Sequence, residues 1–186
     1  MAAHPVDPWT GEAPRAGLPV ISLDEVTDDG KTLRQAFGCF PSGVTAVCGL
    51  ANGIPTGMAA SSFTSVSQHP PLVSLCVQNT SRTWTTLRHL PRLGVSVLGS
   101  GQHRECQRLS RKAGNRFDGV RSDVSADGAI FIAGATAWMD CTLYEEVPAG
   151  DHSIALLRIT GLRTNPAVEP LVFHASRFRR LEAGVS

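Results

Sequence analysis

The stretch GMAASSFTSVSQHPPLVSLCV, residues 57–77, carries seven hydroxyl or amide side chains next to an apolar run and no formally charged residue. Side chains alternate between the two faces of a strand, so residues 59–62 present small side chains on both faces. A flat ligand could lie against such a strand and bind its main-chain N–H and C=O groups. The segment PLVSLCV, residues 71–77, is typical of a further, buried strand.

Two polar clusters flank that second strand. Ser65, Ser67 and Gln68 are expected in the loop that leads to Pro70. Residues 78–83, QNTSRT, follow the strand and open a predicted helix. Free N–H groups at a helix start, with hydroxyls and one guanidinium, can bind an anion. The spacing alone equally allows turns and a helix cap, so both interpretations stay open.

The remaining elements are mostly strands. Residues 33–40 show the spacing of a short amphipathic helix, and residues 81–90 and 102–113 are the other predicted helices. Strands are predicted at residues 44–50, up to Phe63 after an Asn52-Gly53 turn, 71–77, 93–99, and within 129–147, 152–164 and 170–181. Many strands with hairpin-scale links and few helices indicate an antiparallel barrel with helical additions.

Length and composition favour one globular domain. The chain has 186 residues, of which 42% are hydrophobic and 18% charged, with a net charge of +1. This balance does not favour a nucleic acid or an anionic membrane as the main partner. We expect residues 1–26 to form a flexible arm and residues 27–186 the domain. The start lacks an export signal, which predicts a soluble cytoplasmic protein.

The cysteines predict a reducing environment. They are Cys39, Cys48, Cys76, Cys106 and Cys141. No pair has the C-x-x-C spacing, and those at 48, 76 and 141 lie in apolar, strand-like runs. Buried free thiols are therefore expected.

Common catalytic motifs are absent from the sequence. There is no G-x-G-x-x-G after a strand, no G-x-x-x-x-G-K, no G-x-S-x-G and no H-E-x-x-H. The six histidines are scattered, which predicts no metal site. Asp151, His152 and Ser153 are neighbours, and an extended strand would point them to opposite faces, so no relay is expected.

Four basic residues lie along the third predicted helix and just after it. Arg104, Arg108, Lys112 and Arg116 recur every four residues, which would place them on one helical face. Such a face could grip a phosphate of a second nucleotide. A solvated outer face is the favoured interpretation, because most charge runs are of that kind.

Several segments, in order, resemble one family. They are PSGVTAV, GMAASSFTSVS, PPLVSLCV, NTSRTWTTLR, LGVSVL, NRFDGV, Gly150-Asp151-His152 and PLVFHASRFRRL. Together they span about residues 31–182 and resemble the short-chain NAD(P)H:flavin oxidoreductases, the reductase components of two-component flavin monooxygenases. The resemblance implies a mainly β fold, a Greek-key split barrel that binds FMN or FAD. It also implies a homodimer, NADH or NADPH as the other substrate, and a partner flavin-dependent monooxygenase.

The resemblance also implies site residues. The cofactor-binding residues would be Ser42, Ala59, Ala60, Ser61, Ser62, Phe63, Ser65, Ser67, Asn79, Ser81, Arg82, Thr83 and Phe117. Those from 59 to 63 would lie along the flavin ring, those from 65 to 83 would hold the ribityl chain and phosphate, and Phe117 would help cover the pocket. His152 would be the catalytic residue that faces the nicotinamide.

The sequence departs from the family pattern at two positions. Ala59 stands where a threonine is common, which removes one hydroxyl contact with the flavin. Cys39 precedes Phe40 where a basic or polar residue is frequent. A buried structural thiol is the favoured interpretation of Cys39, and a thiol near the ring is the alternative.

Flavin reduction needs little acid–base apparatus, because the cofactors carry the chemistry and the protein stacks the rings and stabilises charge. We therefore expect an NAD(P)H-dependent flavin reductase. Two alternatives remain: a flavin-binding electron-transfer or sensing module that keeps its flavin, and a split-barrel protein that has lost flavin.

Overall fold

The computed structural model describes residues 21–23, 25–26 and 30–181. Most of the predicted flexible arm therefore lies outside the described residues, and its boundary at residue 26 stays a prediction. Residues 37–181 belong to one compact unit, which contains every strand of the described residues.

The described residues form three short helices and twelve strands. The helices are α1 (Lys31–Gly38), α2 (Arg82–Leu87) and α3 (His103–Leu109). The strands are β1 (Ser42–Gly43), β2 (Thr45–Ala51), β3 (Ile54–Ala60), β4 (Thr64–Gln68), β5 (Pro71–Gln78), β6 (Leu93–Val97), β7 (Ser122–Val124), β8 (Ile130–Ile132), β9 (Ala137–Ala149), β10 (His152–Thr164), β11 (Val172–His174) and β12 (Arg177–Arg179).

The main sheet has seven antiparallel strands in the order β3-β2-β6-β9-β10-β5-β4. Smaller sheets have the orders β1-β11-β12 and β7-β8. Strands distant in sequence are neighbours, as β2 and β6 are, so long connections cross between hairpins as in Greek-key folds. The predicted mainly β, antiparallel split-barrel fold is confirmed.

Strand β2 separates two hydrophobic clusters. Val47 belongs to the first core cluster with Leu75, and its neighbours Ala46 and Cys48 belong to the second core cluster with Leu98. All of these residues are essentially inaccessible to solvent. Alternation along a strand that is apolar at nearly every position therefore supplies the core on both faces.

The β2–β3 hairpin forms at the predicted turn. Asn52 and Gly53 both have positive φ, at 50° and 78°, as a two-residue type I′ turn requires. The register pairs Thr45 with Ala60, and β3 ends there rather than at Phe63. The small residues at 59–62 thus begin in strand β3 and continue into the segment after it.

The expected loop around Ser65 and Ser67 is instead strand β4, and that prediction is wrong. Strand β4 pairs with β5 at the end of the main sheet, with a register shift between Ser65 and Ser67. Its side chains are largely exposed. Because an edge strand with a solvent-facing surface tolerates hydroxyl side chains, polarity alone did not distinguish it from a loop.

Ser62 fastens the β3–β4 connection to β5. Its hydroxyl donates to the Cys76 carbonyl oxygen at 3.0 Å and accepts from the Cys76 N–H at 2.9 Å. The side chain that the family resemblance assigns to the flavin therefore also has a structural role.

We expect Ser62→Ala to lower the free energy of unfolding by about 1–2 kcal/mol, because both backbone groups of Cys76 lose their partner. Urea denaturation followed by circular dichroism measures the change. Ser61→Ala is the control, because the exposed Ser61 hydroxyl makes no hydrogen bond within the described residues, so its loss should change stability by less than about 0.5 kcal/mol. Equal stability of the two variants would contradict the structural role of Ser62.

Helices α2 and α3 lie where they were predicted, but α3 is shorter. It ends at Leu109, and the Ser110 hydroxyl donates to the Cys106 carbonyl oxygen at 2.8 Å. Lys112 and Arg116 therefore lie beyond the helix, so the predicted four-cation face does not form. The four-residue spacing of the basic residues gave a wrong prediction, because this spacing does not indicate where the helix ends.

Burial was correctly predicted for some cysteines only. Cys48, Cys106 and Cys141 are buried, and burial raises the pKa of the Cys48 thiol to about 12, so it stays protonated. Cys39 and Cys76 are exposed, which overturns the burial expected of them. Cys76 lies in an apolar run, but it falls on the outward positions of β5.

Within the ranges 21–23, 25–26 and 30–181, no helix is long and apolar enough to cross a membrane.

Candidate functional site

Three adjoining clefts lie along strand β3 and the residue that follows it. We call them the apolar cleft, of about 340 Å³, the cationic cleft, of about 630 Å³, and the outer cleft, of about 420 Å³. Ala59 and Ser110 line both the apolar and the cationic cleft, whereas Thr83 and Arg116 line both the cationic and the outer cleft. Neighbouring clefts therefore share a wall and lie side by side.

The apolar cleft has one wall of small residues and one of aromatic residues. It is lined by Val44, Ala59, Ala60, Ser61, Cys106, Gln107, Ser110, Phe173 and Phe178. The rings of Phe173 and Phe178 pack edge to face, with centroids 5.5 Å apart. The small side chains at 59–61 leave open the space beside the backbone, so a planar group fits this compartment.

The cationic cleft joins the start of α2 to the segment after α3. It is lined by Met58, Ala59, Gln78, Thr80, Ser81, Arg82, Thr83, Leu109, Ser110, Lys112 and Arg116. Its charged lining residues are two arginines and one lysine, with no carboxylate among the lining residues. Ser81 caps α2 by accepting a hydrogen bond from the Trp84 N–H at 3.2 Å. Such a set of cations and hydroxyls favours an anion of the phosphate type.

Arg116 is held in place at the boundary of the cationic and outer clefts. Its Nη1 donates to the Gly57 carbonyl oxygen at 3.0 Å and to the Thr83 hydroxyl at 2.6 Å. Strand β3 is an edge strand, so its outward carbonyl is available to a side chain. Position 57 requires glycine, because a Cβ there would lie 3.0 Å from the Cys48 Cβ and closer still to its sulfur.

The position of Arg116 in the cleft was not predicted, because this residue was assigned to a solvated helical face. The neighbouring Phe117 was predicted, and it lines the outer cleft. The NRFDGV segment that carries both residues was the signal available for finding Arg116.

The predicted cofactor-binding residues divide into two groups. Those that line one of the three clefts are Ala59, Ala60, Ser61, Ser81, Arg82, Thr83 and Phe117. Those that line none of these three are Ser42, Ser62, Phe63, Ser65, Ser67 and Asn79. Ser42 pairs with Phe173, one strand away from the apolar cleft, whereas Phe63 packs against the first core cluster.

Asn79 supports the turn between β9 and β10. Its side-chain nitrogen donates to the Gly150 carbonyl oxygen at 3.2 Å, and its backbone N–H donates to the Asp151 carbonyl oxygen at 3.0 Å. Its side-chain oxygen accepts from the Ser153 hydroxyl at 3.0 Å. The amide that was expected near the phosphate is thus engaged by the turn that carries His152.

His152 contacts Asp151, which the sequence analysis did not expect. The His152 Nδ1 lies 2.8 Å from an Asp151 carboxylate oxygen, because Asp151 lies in the turn rather than on an extended strand. The hydrogen bond from His152 and its charge lower the pKa of the Asp151 carboxyl. No three-residue relay forms, since Ser153 bonds to Asn79 instead. His152 pairs with Gln78, which lines the cationic cleft.

Among the residues that the structure describes, no three histidine, cysteine or acidic side chains are grouped as a metal site would need.

Residues 37–182 match the family described as Flavin reductase like domain. The NADH-dependent FAD reductase of Streptomyces globisporus is 40% identical over 157 residues, which cover 82% of this chain and 86% of that protein. The reductase subunit HsaB of a flavin-dependent monooxygenase from Rhodococcus jostii is 31% identical, with coverages of 86% and 87%.

Solved structures of flavin reductases are also similar to this chain. The NADH:FAD oxidoreductase of Streptomyces globisporus C-1027, in complex with NAD and FAD fragments, superimposes with a TM-score of 0.81 and 37% identity. It covers 88% of this chain and 100% of its own. BorF, the flavin reductase component of a bacterial two-component tryptophan halogenase, gives 0.76 and 32%, with coverages of 84% and 100%. With most of its length matched by a family profile, by relatives and by structures, the chain belongs to the flavin reductase family.

Proposed function

We propose that this flavin reductase uses NADH to reduce FAD and supplies the reduced flavin to a partner monooxygenase. The observation that carries this proposal is that the apolar and cationic clefts adjoin at Ala59 and Ser110. A planar compartment beside three cations matches a ligand that has a flat ring at one end and phosphate at the other.

The apolar cleft suits the flavin ring, which accepts the hydride of the nicotinamide when bound. Ala59, Ala60 and Ser61 would face one side of it, and the Phe173–Phe178 pair lies among the other lining residues. Ala59 packs against the second core cluster, so its methyl group is held firmly. A threonine at this position would occupy part of the cleft and add a hydroxyl. Alanine therefore lacks a hydroxyl contact with the flavin but leaves more room in the cleft.

The cationic cleft suits the phosphate. Arg82 is exposed, so its guanidinium reaches outward, whereas the half-buried Arg116 is fixed by Gly57 and Thr83. Because Arg116 is already oriented, less conformational entropy is lost when an anion binds to it. Lys112 adds a third positive charge.

His152 is the residue that would contact the nicotinamide. It is half-exposed at the start of β10, beside the strand end that contributes Gln78 to the cationic cleft. Asp151 fixes one ring nitrogen, and Asn79 fixes the turn. The other nitrogen is then available to hydrogen-bond a carboxamide.

The relatives support the choice of substrates and partner. One similar protein is named an NADH-dependent FAD reductase, and others are named reductase subunits of flavin-dependent monooxygenases. Cys48, Cys76, Cys106 and Cys141 are free thiols, which supports the reducing cytoplasm as the location.

We also propose a homodimer. The outward side chains Val66 of β4 and Tyr144 and Val147 of β9 are 39–49% exposed, and a second copy would cover apolar surface of this kind. Sedimentation equilibrium tests the proposal: a dimer mass supports it, and a monomer at micromolar concentration contradicts it.

The function is tested with purified protein, NADH and FAD in the absence of oxygen. We expect NADH consumption that depends on both flavin and protein, and flavin that separates from the protein on gel filtration. Turnover with NADPH in place of NADH would change the nicotinamide assignment. Flavin that stays bound without turnover would instead favour an electron-transfer or sensing module.

We expect His152→Ala to raise the KM for NADH about tenfold and to leave the KM for FAD within about twofold, because one hydrogen bond to the nicotinamide is lost. Steady-state kinetics with each substrate varied in turn measures the split. His89→Ala, an exposed histidine just after α2, is the control. An unchanged KM for NADH in His152→Ala would remove His152 from the site.

A further inference from the structure

We propose that the outer cleft binds the adenosine half of FAD, and that Phe117 thereby determines a preference for FAD over FMN. This inference rests on the proposed function and assigns its choice of FAD to one part of the site. Apart from a general covering role expected of Phe117, the resemblance assigned nothing to this cleft.

The first support is the order of the three clefts along the chain. The outer cleft is lined by β3 residues 54–57, the cationic cleft by 58 and 59, and the apolar cleft by 59–61. A strand rises about 3.3 Å per residue, so the seven steps from Ile54 to Ser61 cover about 23 Å. This arrangement gives an extended dinucleotide a ring compartment, a phosphate compartment and a third compartment in that order.

The second support is the chemistry of the third compartment. Ile54, Pro55 and Phe117 give it apolar surface, and Thr56 and Asn115 give it polar groups. Its one charged lining residue is Arg116, on the side shared with the cationic cleft. An uncharged base and sugar suit this lining, whereas a further phosphate would meet no cation beyond Arg116.

The third support is that Phe117 is held in place. Its backbone N–H donates to the Asn115 side-chain oxygen at 3.0 Å. Its ring packs against the second core cluster, and its Cζ atom would lie 3.1 Å from a Cβ at Gly57. A half-buried ring that is fixed on one side and lines a cleft on the other is a stacking surface for a purine.

FMN ends at its phosphate and would stop at Arg116. A change at Phe117 should therefore affect FAD and spare FMN, whereas a change in the shared clefts should affect both. This asymmetry separates the outer cleft from the rest of the site.

The test is isothermal titration of wild type and Phe117→Leu with FAD and with FMN, followed by steady-state kinetics with both flavins. Base stacking on an aromatic ring is worth about 1–3 kcal/mol, so Phe117→Leu should weaken FAD binding by about tenfold or more and change FMN binding by less than about twofold. Phe117→Tyr, which keeps a ring, should retain the preference of the wild type.

A second variant guards against a folding defect in Phe117→Leu. Thr56→Trp would fill the outer cleft from β3, and it too should weaken FAD binding alone. Equal losses for FAD and FMN, a loss in NADH affinity instead, or equal FAD and FMN affinity in the wild type would overturn the inference. A wild type that reduces neither flavin would instead overturn the proposed function.

Discussion

Arg116→Leu is expected to weaken the binding of both FAD and FMN by about 30-fold or more, since a fixed charged hydrogen-bond donor to phosphate contributes about 2 kcal/mol or more. The substitution also leaves the Gly57 carbonyl oxygen and the Thr83 hydroxyl without the guanidinium that joins them. Equilibrium titration with each flavin at low salt measures the effect. Because the interaction is between charges, the wild-type affinity should fall as salt rises, and that of the variant should fall less.

Two variants control for this result. Arg104→Leu removes an exposed arginine of α3 that lines none of the three clefts, and it should leave flavin affinity within about twofold. Arg116→Lys keeps the charge and loses the paired donors, so it should lie between the wild type and Arg116→Leu. If Arg104→Leu and Arg116→Leu bind flavin equally well, the cationic cleft is not the phosphate site.

Gly94→Ala is expected to prevent stable folding. A Cβ at position 94 would lie 2.6 Å from the Ile130 carbonyl carbon and 2.9 Å from the Ile130 nitrogen, and it would be closer still to the carbonyl oxygen. These are backbone atoms of β8, which cannot rotate away as a side chain can. Overpacking against fixed backbone should cost about 3 kcal/mol or more, a large part of the stability of a domain this size.

Thermal denaturation and the yield of folded protein measure this effect. Gly101→Ala is the matched control, because a Cβ there meets no atom within 4 Å and the residue has no positive φ. It should melt close to the wild type. A Gly94→Ala protein with an unchanged melting temperature would contradict the packing of β6 on β8.

Much of the fold could be predicted because its signals are local. Asn52 and Gly53 favour a particular turn, and the apolar run PLVSLCV indicated a strand, which is β5. The small residues at 59–61 suggested space for a flat ligand, with turns as the open alternative, and they line the apolar cleft. The resemblance added the Greek-key split-barrel topology, which no local pattern contains.

The parts that could not be predicted depend on contacts between distant segments. Arg116 reaches Gly57 and Thr83 across 59 and 33 residues of sequence, so its spacing from Lys112 carried no information about its partners. Asn79 meets the 150–153 turn in the same way. The polar segment around Ser65 and Ser67 was also misassigned as a loop. It is the edge strand β4, which is paired with a neighbouring strand on one side only.

The most direct test of the account is anaerobic rapid mixing of the protein, FAD and NADH while the visible absorption of the flavin is followed. We predict that the wild type bleaches the flavin quickly and that Arg116→Leu at the same subsaturating FAD concentration is slower in proportion to its lost affinity. Bleaching no faster than in a protein-free mixture, or equally fast with both proteins, would contradict flavin reduction in the clefts along β3.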